Sequence, residues 1–206
     1  GEGEEQVGPD HEHFADGDNP RVLLTADVNR DNNPDILVIN QDSRDLAVLL
    51  GKGDGTFQPE ISTPVSDLPR AMRVGNVNTD NFLDVVVTNL HKSRVSIFLG
   101  RGDGTFENSV GFEIANRPYQ NTYSRLLISD VSLDGAPDIL FVEEPGIELV
   151  GILVGDGTGF FSGQSGYDLT DPFTTGLAVG DFNEDGLPDI AAGNGGANNV
   201  SVLLHR

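Results

Sequence analysis

The sequence contains no cysteine and no tryptophan among its 206 residues. The missing thiols exclude disulfide bonds, a catalytic thiolate and zinc sites that are built on cysteine. A small domain exported to an oxidising compartment often depends on disulfides for stability, so this chain needs another source. Because acidic residues are abundant, the composition suggests bound metal ions as that source.

Basic residues are scarce as well: 12 Lys and Arg against 33 Asp and Glu give a formal net charge of −21 at pH 7. Binding to nucleic acid without regard to sequence needs a basic footprint, so no nucleic-acid partner is expected. The charge also disfavours docking on anionic lipid headgroups. No apolar run approaches the roughly 20 residues of a membrane span, so no membrane insertion is expected.

The chain is built of internal repeats with a period near 50 residues. One segment recurs four times, as ADVNRDNNPDILVIN, GNVNTDNFLDVVVTN, SDVSLDGAPDILFVE and GDFNEDGLPDIAAGN. A second motif follows it at a constant interval, as LLGKGDGTF, FLGRGDGTF and LVGDGTGFF. Two coupled motifs in step predict a single domain over 1–206. Its repeats are expected at approximately 21–62, 70–113, 124–166 and 175–206.

Each repeat predicts four short strands, which we name A to D in chain order. Its apolar stretches are short, rich in Val, Ile and Leu, and bounded by Gly, Asn, Asp and Pro. Strand A leads into the acidic segment, B leaves it, C precedes the Gly-rich turn, and D begins at the Phe that ends this turn. Four antiparallel strands recurring in this way are typical of the blades of a β-propeller. The fold class is therefore predicted as all-β.

The fourth repeat has no strand D of its own. Residues 5–16 contain VGPDHEHF, which roughly matches the stretch FQPEIS at 57–62, and would supply the missing strand. Four blades would then close into a ring, which leaves no free sheet edge. The alternative interpretation is that the chain is a piece of a seven-bladed ring.

The loops between strands A and B carry oxygen-bearing side chains at positions 1, 3, 5 and 9, and position 7 offers its backbone carbonyl. Calcium binds six to eight hard oxygens with tolerant geometry, whereas magnesium demands a stricter one. We therefore predict up to four Ca²⁺ ions, one in each of four acidic loops (27–35, 76–84, 130–138 and 181–189). The predicted ligands are Asp27, Asn29, Asp31, Asn33 and Asp35 in acidic loop 1; Asn76, Asn78, Asp80, Phe82 and Asp84 in acidic loop 2; Asp130, Ser132, Asp134, Ala136 and Asp138 in acidic loop 3; and Asp181, Asn183, Asp185, Leu187 and Asp189 in acidic loop 4.

The acidic loops differ in their number of carboxylates. Acidic loop 2 has two instead of three, because Asn76 occupies position 1, and it is predicted to bind calcium most weakly. In acidic loop 3, Ser132 is a poorer ligand at position 3 than Asn or Asp. Position 6 is Asn or Gly in every acidic loop, which predicts a sharp turn with positive φ there.

The segments GDFNEDGLPDI, VSVLL and LLGKGDGTF resemble FG-GAP/VCBS repeats, which are found in the propeller of integrin alpha subunits and in many secreted bacterial proteins. The resemblance covers essentially the whole chain. It implies a β-propeller with calcium in the A–B loops, on the face opposite the usual partner-binding surface. The family includes adhesion modules, lectins and non-catalytic parts of polysaccharide-degrading enzymes, so the resemblance indicates the fold better than the function.

The B–C and D–A loops are expected on the face opposite the acidic loops, and this face receives most of the basic residues. Aromatic rings with arginine and carboxylates suit a sugar or a peptide loop as ligand, while a mixed solvated surface is the alternative. The candidate ligand-binding residues are Arg21, Arg70, Arg117, Tyr119, Tyr123 and Arg125.

The sequence shows no local nucleophile–base motif, so we do not expect an enzyme. The function that these patterns favour is a calcium-stabilised, secreted or cell-surface binding module, lectin-like or adhesive, for a carbohydrate or protein ligand. The first alternative is an accessory or catalytic propeller domain of a polysaccharide-degrading enzyme. The second is a structural scaffold without its own ligand.

Overall fold

The structure is a computed structural model that describes residues 17–89, 94–114, 122–144, 149–169 and 174–205. Every element in this part of the chain is a β-strand, as the sequence predicts. Within the same residues there is no helix with the length and apolar character that a membrane crossing needs.

The strands form four antiparallel sheets in which each strand pairs with the next along the chain. Their bounds are, in sheet 1, β1 (Pro20–Ala26), β2 (Asp35–Asn40), β3 (Asp45–Leu49) and β4 (Ile61–Pro64); in sheet 2, β5 (Pro69–Gly75), β6 (Asp84–Asn89), β7 (Arg94–Phe98) and β8 (Val110–Glu113); in sheet 3, β9 (Thr122–Ser129), β10 (Asp138–Glu144), β11 (Leu149–Gly155) and β12 (Phe161–Asp168); and in sheet 4, β13 (Thr174–Gly180), β14 (Asp189–Asn194) and β15 (Asn199–Leu203).

Strand D begins later than predicted in the first two repeats. Phe57 and Phe106 form only isolated bridges with Gly51 and Gly100, and these bridges close the Gly-rich turns. β4 and β8 begin only later, at Ile61 and Val110. Only in the third repeat does strand D start at the predicted phenylalanine, Phe161.

The four sheets stand side by side, with an apolar core between each sheet and the next. The two middle sheets are buried on both faces because successive residues of a strand point to opposite sides. Val85 and Val87 of β6 pack towards sheet 1, whereas Val86 packs towards sheet 3. In the same way, Phe141 of β10 faces sheet 2 and its neighbour Leu140 faces sheet 4. This alternation explains why the B strands read as continuous apolar runs.

The first strand of each sheet contacts that of the next: β1 contacts β5, β5 contacts β9, and β9 contacts β13. We call these four the inner strands. Among the described residues, no apolar core joins sheet 4 to sheet 1. On the outward faces of the end sheets, Leu23 and Val200 are 60% and 65% exposed. Residues 5–16, which were predicted to complete sheet 4, lie outside the described residues, so ring closure stays a prediction.

Candidate functional site

The acidic loops and the Gly-rich C–D turns lie at one edge of the sheets, where the aspartate at position 9 joins them. In acidic loop 1 this residue is Asp35, which is fully buried at the start of β2. Its Oδ2 accepts a hydrogen bond of 2.8 Å from the N–H of Val28, and its Oδ1 accepts one of 2.8 Å from the N–H of Gly51. One carboxylate therefore fastens the acidic loop to the end of strand C.

The same arrangement recurs in every repeat, and the position-9 carboxylate is fully buried each time. The backbone N–H donors are Val77 at 2.7 Å and Gly100 at 2.9 Å to Asp84, Val131 and Ser132 at 2.9 Å and Gly155 at 3.0 Å to Asp138, and Phe182 and His205 at 2.9 Å to Asp189. We call these four aspartates the clamp aspartates. The sequence predicted them as calcium ligands and gave no sign of this second role.

Burial has an electrostatic cost at the clamp. Desolvation raises the pKa of Asp84, and hydrogen bonds from the N–H groups of Val77 and Gly100 oppose that rise. The charged form of a buried carboxylate depends on such donors. Removing either donor would therefore raise the pKa of Asp84 further, whereas a positive ion nearby would lower it.

The side-chain oxygens at the exposed positions of the acidic loops accept hydrogen bonds from the same loop. Asp27 accepts hydrogen bonds from the N–H groups of Asp31 at 3.1 Å and Asn32 at 2.8 Å. Asp31 accepts from the N–H of Asn33 at 2.8 Å and from the amide of Asn29 at 2.9 Å. The bond from Asn33, followed by that from Asn29, lowers the pKa of Asp31. These bonds therefore favour the charged form of Asp31.

Acidic loop 4 repeats these contacts, with Asp185 accepting from Asn183 at 2.9 Å and from the N–H of Leu187 at 2.8 Å. In acidic loop 2, the amide oxygen of Asn76 takes the place of a carboxylate and accepts from the N–H of Thr79 at 2.8 Å. Asparagine at position 1 thus preserves the shape of the loop while it removes one charge.

Two positions of every acidic loop have positive φ. Position 6 is confirmed, at 67° for Asn32, 69° for Asn81, 88° for Gly135 and 84° for Gly186. Position 4 was not predicted, since its residues are Arg30, Thr79, Leu133 and Glu184, yet their φ values lie between 62° and 64°. Side chains other than glycine adopt this conformation at a cost of about 1–2 kcal/mol. Each of the four acidic loops therefore has the same backbone strain.

The donor set of the acidic loops fits calcium in its chemistry, because all its side-chain donors are the hard oxygens of Asp, Asn and Ser. Within the described part of the chain, however, no three side chains of His, Cys, Asp or Glu are grouped so that they could hold a metal ion. Each acidic loop therefore has to combine its carboxylates with amide or backbone oxygens to complete a coordination shell.

Neighbouring acidic loops contact each other along this edge. The guanidinium of Arg30 in acidic loop 1 lies 5.4 Å from the ring centre of Phe82 in acidic loop 2. Thr79 of acidic loop 2 donates from its hydroxyl to the carbonyl of Gly157 in the third C–D turn at 3.2 Å. These contacts connect the conformation of one acidic loop directly to a neighbouring repeat.

The C–D turns are closed by an aspartate that caps the following threonine. Asp103 accepts hydrogen bonds from the hydroxyl of Thr105 at 2.6 Å and from its N–H at 2.9 Å. These two bonds lower the pKa of Asp103, the hydroxyl bond most strongly. Asp54 and Asp156 are held in the same way, so the motif Gly-Asp-Gly-Thr is a structural turn in all three repeats.

At the other end of the inner strands lies a pocket of about 320 Å³ between β1, β5 and β9. Arg70 and Arg125, two of the predicted ligand-binding residues, both line it. They are joined there by Arg73, which the sequence reasoning missed. Arg70 and Asn76 stand at opposite ends of β5, about 20 Å apart along an extended strand. We call this site the arginine pocket. Arg70 is distant from the acidic loops, whereas Arg73 also lines the neighbouring pocket with Asn76 and Asp130.

A β-bulge at Arg70 interrupts the alternation of β5, and Arg70 and Arg73 both line the arginine pocket. Three residues apart in a regular strand, they would point to opposite faces. The register with β6 shifts between Pro69 and Ala71, so Arg70 is an extra residue and the alternation is reset. A bulge interrupts each of the other pairings between an inner strand and its neighbour at the equivalent place, between Pro20 and Val22, Phe141 and Glu143, and Thr174 and Gly176.

Two of the arginines bridge adjacent inner strands. Nε of Arg73 donates to the carbonyl of Leu126 at 2.8 Å, and Nε of Arg125 donates to the carbonyl of Thr175 at 2.7 Å. These carbonyls belong to the first strands of their sheets, so the arginines satisfy edge groups that have no ladder partner.

Of the remaining predicted ligand residues, Arg21 is described and is not among the lining residues of the arginine pocket. Arg21 lies exposed at the bulge of β1. Tyr123 is described only as part of β9, and Arg117 and Tyr119 lie outside the described residues.

Most of this chain matches models of one family of repeats. Residues 27–87 and 76–141 match the FG-GAP-like repeat, and residues 173–203 match the FG-GAP repeat. No curated protein matches the chain.

Solved structures with similar folds include a lectin and a component of a protein complex. The structure of an Agrocybe aegerita lectin, which concerns specific recognition of non-reducing terminal N-acetylglucosamine, has a TM-score of 0.54 and 17% identity, and the match covers 90% of this chain and 52% of the lectin. BBS1N in complex with ARL6DN, from mercury-soaked crystals, has a TM-score of 0.56 and 13% identity, with 92% and 58% covered. The same complex from lead-soaked crystals has a TM-score of 0.53 and 14% identity, and the match covers 88% of this chain and 55% of that structure. The chain thus spans little more than half the length of these structures, and the likeness is one of fold.

Proposed function

The chain belongs to the FG-GAP repeat family, and on that premise we propose that it is a calcium-stabilised extracellular binding module for a carbohydrate or protein ligand. It is lectin-like or adhesive and not catalytic in this proposal. The observation that carries it is the division of the molecule into two edges, one with the acidic loops and the other with the arginine pocket.

Calcium is supported by the chemistry and the strain of the acidic loops. The residues that would hold it are the Asp, Asn and Ser side chains at positions 1, 3, 5 and 9, with the backbone carbonyl of position 7. A bound ion would neutralise carboxylates that otherwise repel one another, in a chain whose net charge is −21. It would also offset the cost of positive φ at Leu133 and Glu184, which are neither glycine nor asparagine.

An extracellular setting is supported by the type of site. Exposed acidic loops with two or three carboxylates belong with the calcium sites of extracellular modules, whose dissociation constants are about 0.1–1 mM. Such sites fill at the millimolar calcium of extracellular fluids and stay empty in the cytosol.

A binding role without catalysis is supported by the composition of the arginine pocket. Among its described lining residues there is no Asp, Glu, His, Ser or Thr that could serve as nucleophile or general base. Its arginines and apolar side chains are groups that hold a ligand. The lectin in the comparison shares only the fold with this chain, so it supports ligand binding in general terms.

The calcium part is tested by thermal unfolding in millimolar calcium, in millimolar magnesium and in chelator. A ligand of the native state stabilises by about 0.4–1.4 kcal/mol per site at a one- to tenfold excess over its dissociation constant. We expect calcium, but not magnesium, to raise the melting temperature. Equal melting temperatures in all three conditions would contradict the calcium proposal.

The binding part is tested on a glycan array and by capture of extracellular proteins, each with calcium and with chelator. We expect retention of a defined set of ligands that is weakened when Arg125 is replaced by Gln. A protein that binds nothing in either assay would instead be a scaffold. Turnover of a polysaccharide during the same incubations would favour the enzymatic alternative.

We further propose that residues 5–16 complete sheet 4 and close the ring. Among the described residues β15 has no partner on its outer side, where a fourth strand would pair. The exposed side chains of Val200 and Val202 would be covered if ring closure packed sheet 1 against sheet 4. Deleting residues 1–16 should then lower the melting temperature, whereas deleting only residues 1–4 should not. Equal effects of the two deletions would favour an open array of sheets.

A further inference from the structure

The arginine pocket concentrates positive charge in a strongly acidic protein. The whole chain has only 12 Lys and Arg residues, and three of them, Arg70, Arg73 and Arg125, line this one pocket. No Asp or Glu is among its described lining residues. A site that merely balanced the surface charge would place carboxylates beside these guanidiniums, since the chain has 33 acidic residues to supply them.

The guanidiniums are positioned before any ligand arrives. The backbone carbonyl of Leu126 anchors Nε of Arg73, and the described residues give its other nitrogens no partner. Arg70 lies at the bulge of β5 and lines the same pocket. Neither Arg70 nor Arg73 forms an ion pair within the part of the chain that the structure describes. Arginine presents a planar fork of donors that matches the two oxygens of a carboxylate or sulfate.

The rest of the pocket is apolar and of limited size. Val22, Met72 and Leu126 line it. Met72 and Leu126 are buried in the neighbouring cores, so the half-buried Val22 offers most of the apolar contact beside the guanidiniums. A volume of about 320 Å³ lies at the lower end of small-molecule sites. The side chain of an acidic peptide would occupy the arginines and leave the apolar wall uncovered, whereas a sugar ring that carries an anionic group would meet both.

We propose that the arginine pocket binds an acidic sugar residue, with its carboxylate or sulfate on Arg70 and Arg73 and its ring against the apolar wall. This inference rests on the proposed binding function and names the class of ligand. The charge of the pocket selects the anionic group against the net charge of −21 of the whole chain.

The test is calorimetric titration of the whole chain in calcium with four probes. They are a short oligomer of galacturonate, a sulfated galactose oligomer, a neutral galactose oligomer of the same length, and an oligo-aspartate peptide. We expect binding of the galacturonate or the sulfated oligomer, an affinity that falls as salt is raised, and no binding of the neutral oligomer. The better of the two acidic sugars identifies the anionic group.

The variants are Arg73→Gln, Arg70→Gln and, as matched control, Arg101→Gln. Arg101 lies in a C–D turn at the other edge, where it is 3.9 Å from Glu107, and its replacement removes the same charge. We expect a loss of about tenfold or more in affinity for each pocket variant and a change of less than about twofold for the control. Arg73→Lys keeps the charge but loses the planar fork of donors, so its affinity should lie between those of Arg73→Gln and the unmodified chain. Melting curves check that every variant is folded.

Several outcomes would overturn the inference: no binding of either acidic sugar, binding of oligo-aspartate alone, or equal losses in Arg70→Gln and Arg101→Gln. If acidic sugars fail while a neutral glycan or a protein is retained in a calcium-dependent way, the proposed function stands without this inference. If acidic sugars bind and calcium leaves the melting temperature unchanged, the calcium proposal fails and the pocket assignment stands.

Discussion

Asp35 and Gly51 are joined by a hydrogen bond of 2.8 Å from the N–H of Gly51 to the buried Oδ1 of Asp35. The bond links the start of strand B to the end of strand C, and its counterparts recur in the other repeats. A clamp aspartate therefore contributes to stability even without a metal ion. This separates its role from that of the exposed acidic residues in the same loops.

Replacing Asp35 by Asn tests this separation in chelator. The amide has one acceptor oxygen, so one of the two buried N–H donors loses its partner, at a cost of about 1–3 kcal/mol. The matched control is Asp31→Asn, an exposed position of the same acidic loop, for which we expect a change within about 0.5 kcal/mol. Equal free energies of unfolding in urea for the two variants would show that the clamp adds no stability.

Much of this fold follows from the sequence because the signals repeat in step. The acidic loops and Gly-rich turns mark the same edge of every repeat, and short apolar runs between them admit only strands. Positive φ at Asn32 and Asn81 was predictable because asparagine tolerates it. The same φ at Arg30 or Leu133 was not, because nothing in a side chain of this kind favours it.

The arginine pocket shows where sequence reasoning ends. Arg73 was missed because regular strand alternation would place it on the face opposite Arg70, and the bulge that interrupts this alternation leaves no mark in the sequence. The clamp role of Asp35 was hidden for a similar reason. Its partner Gly51 is distant in the chain, and a bond to a backbone N–H leaves no mark in the sequence.

Replacing Asn76 by Asp should strengthen calcium binding at acidic loop 2. The change restores a third carboxylate where the amide oxygen of Asn76 now accepts from Thr79, and the number of charged ligands tunes such sites. Calcium titration calorimetry should show a lower dissociation constant for the weakest site.

The control for this prediction is Asn81→Asp, at position 6 of the same acidic loop. It adds the same charge outside the predicted donor positions, and aspartate tolerates the φ of 69° at that residue. If both variants strengthen calcium binding equally, general charge and not coordination is responsible. If Asn76→Asp has no effect, acidic loop 2 is not the weakest site.

Replacing Leu133 by Gly should stabilise the chain. Leu133 has a φ of 62° and is 51% exposed, so it has backbone strain and little packing to lose. Relief of about 1–2 kcal/mol of strain is offset by about 0.5–1 kcal/mol of extra chain entropy in the unfolded state. We expect a net gain of about 0.5 kcal/mol by urea unfolding in chelator, whereas Leu133→Ala, which keeps the strain, should give no gain. A loss in both variants would contradict this account.

The C–D turns should lose stability in acid. The hydrogen bonds from Thr105 hold the pKa of Asp103 below its ordinary value of 3.8. Because the folded pKa is the lower one, the stabilisation is present above about pH 4 and is lost as the pH falls through the folded pKa. Asp103→Asn removes this titration, so its stability relative to the unmodified chain should improve between pH 6 and pH 3.

Urea unfolding at both pH values measures this difference. Thr105→Val removes the hydroxyl that lowers the pKa most, and it should reduce the acid loss as well. The explanation fails if the unmodified chain and the two variants lose the same stability between pH 6 and pH 3.

The succession of three apolar cores between four sheets has a consequence for cooperativity. Within the described residues, each sheet packs only against its immediate neighbours, so local opening there resembles a one-dimensional chain of coupled units. Sheets 2 and 3 have a neighbour on both sides, whereas the described parts of sheets 1 and 4 have one. Amide hydrogens of β6 and β10 are therefore the slowest to exchange with deuterium, and protection declines outwards to β15, whose Val200 and Val202 side chains are exposed.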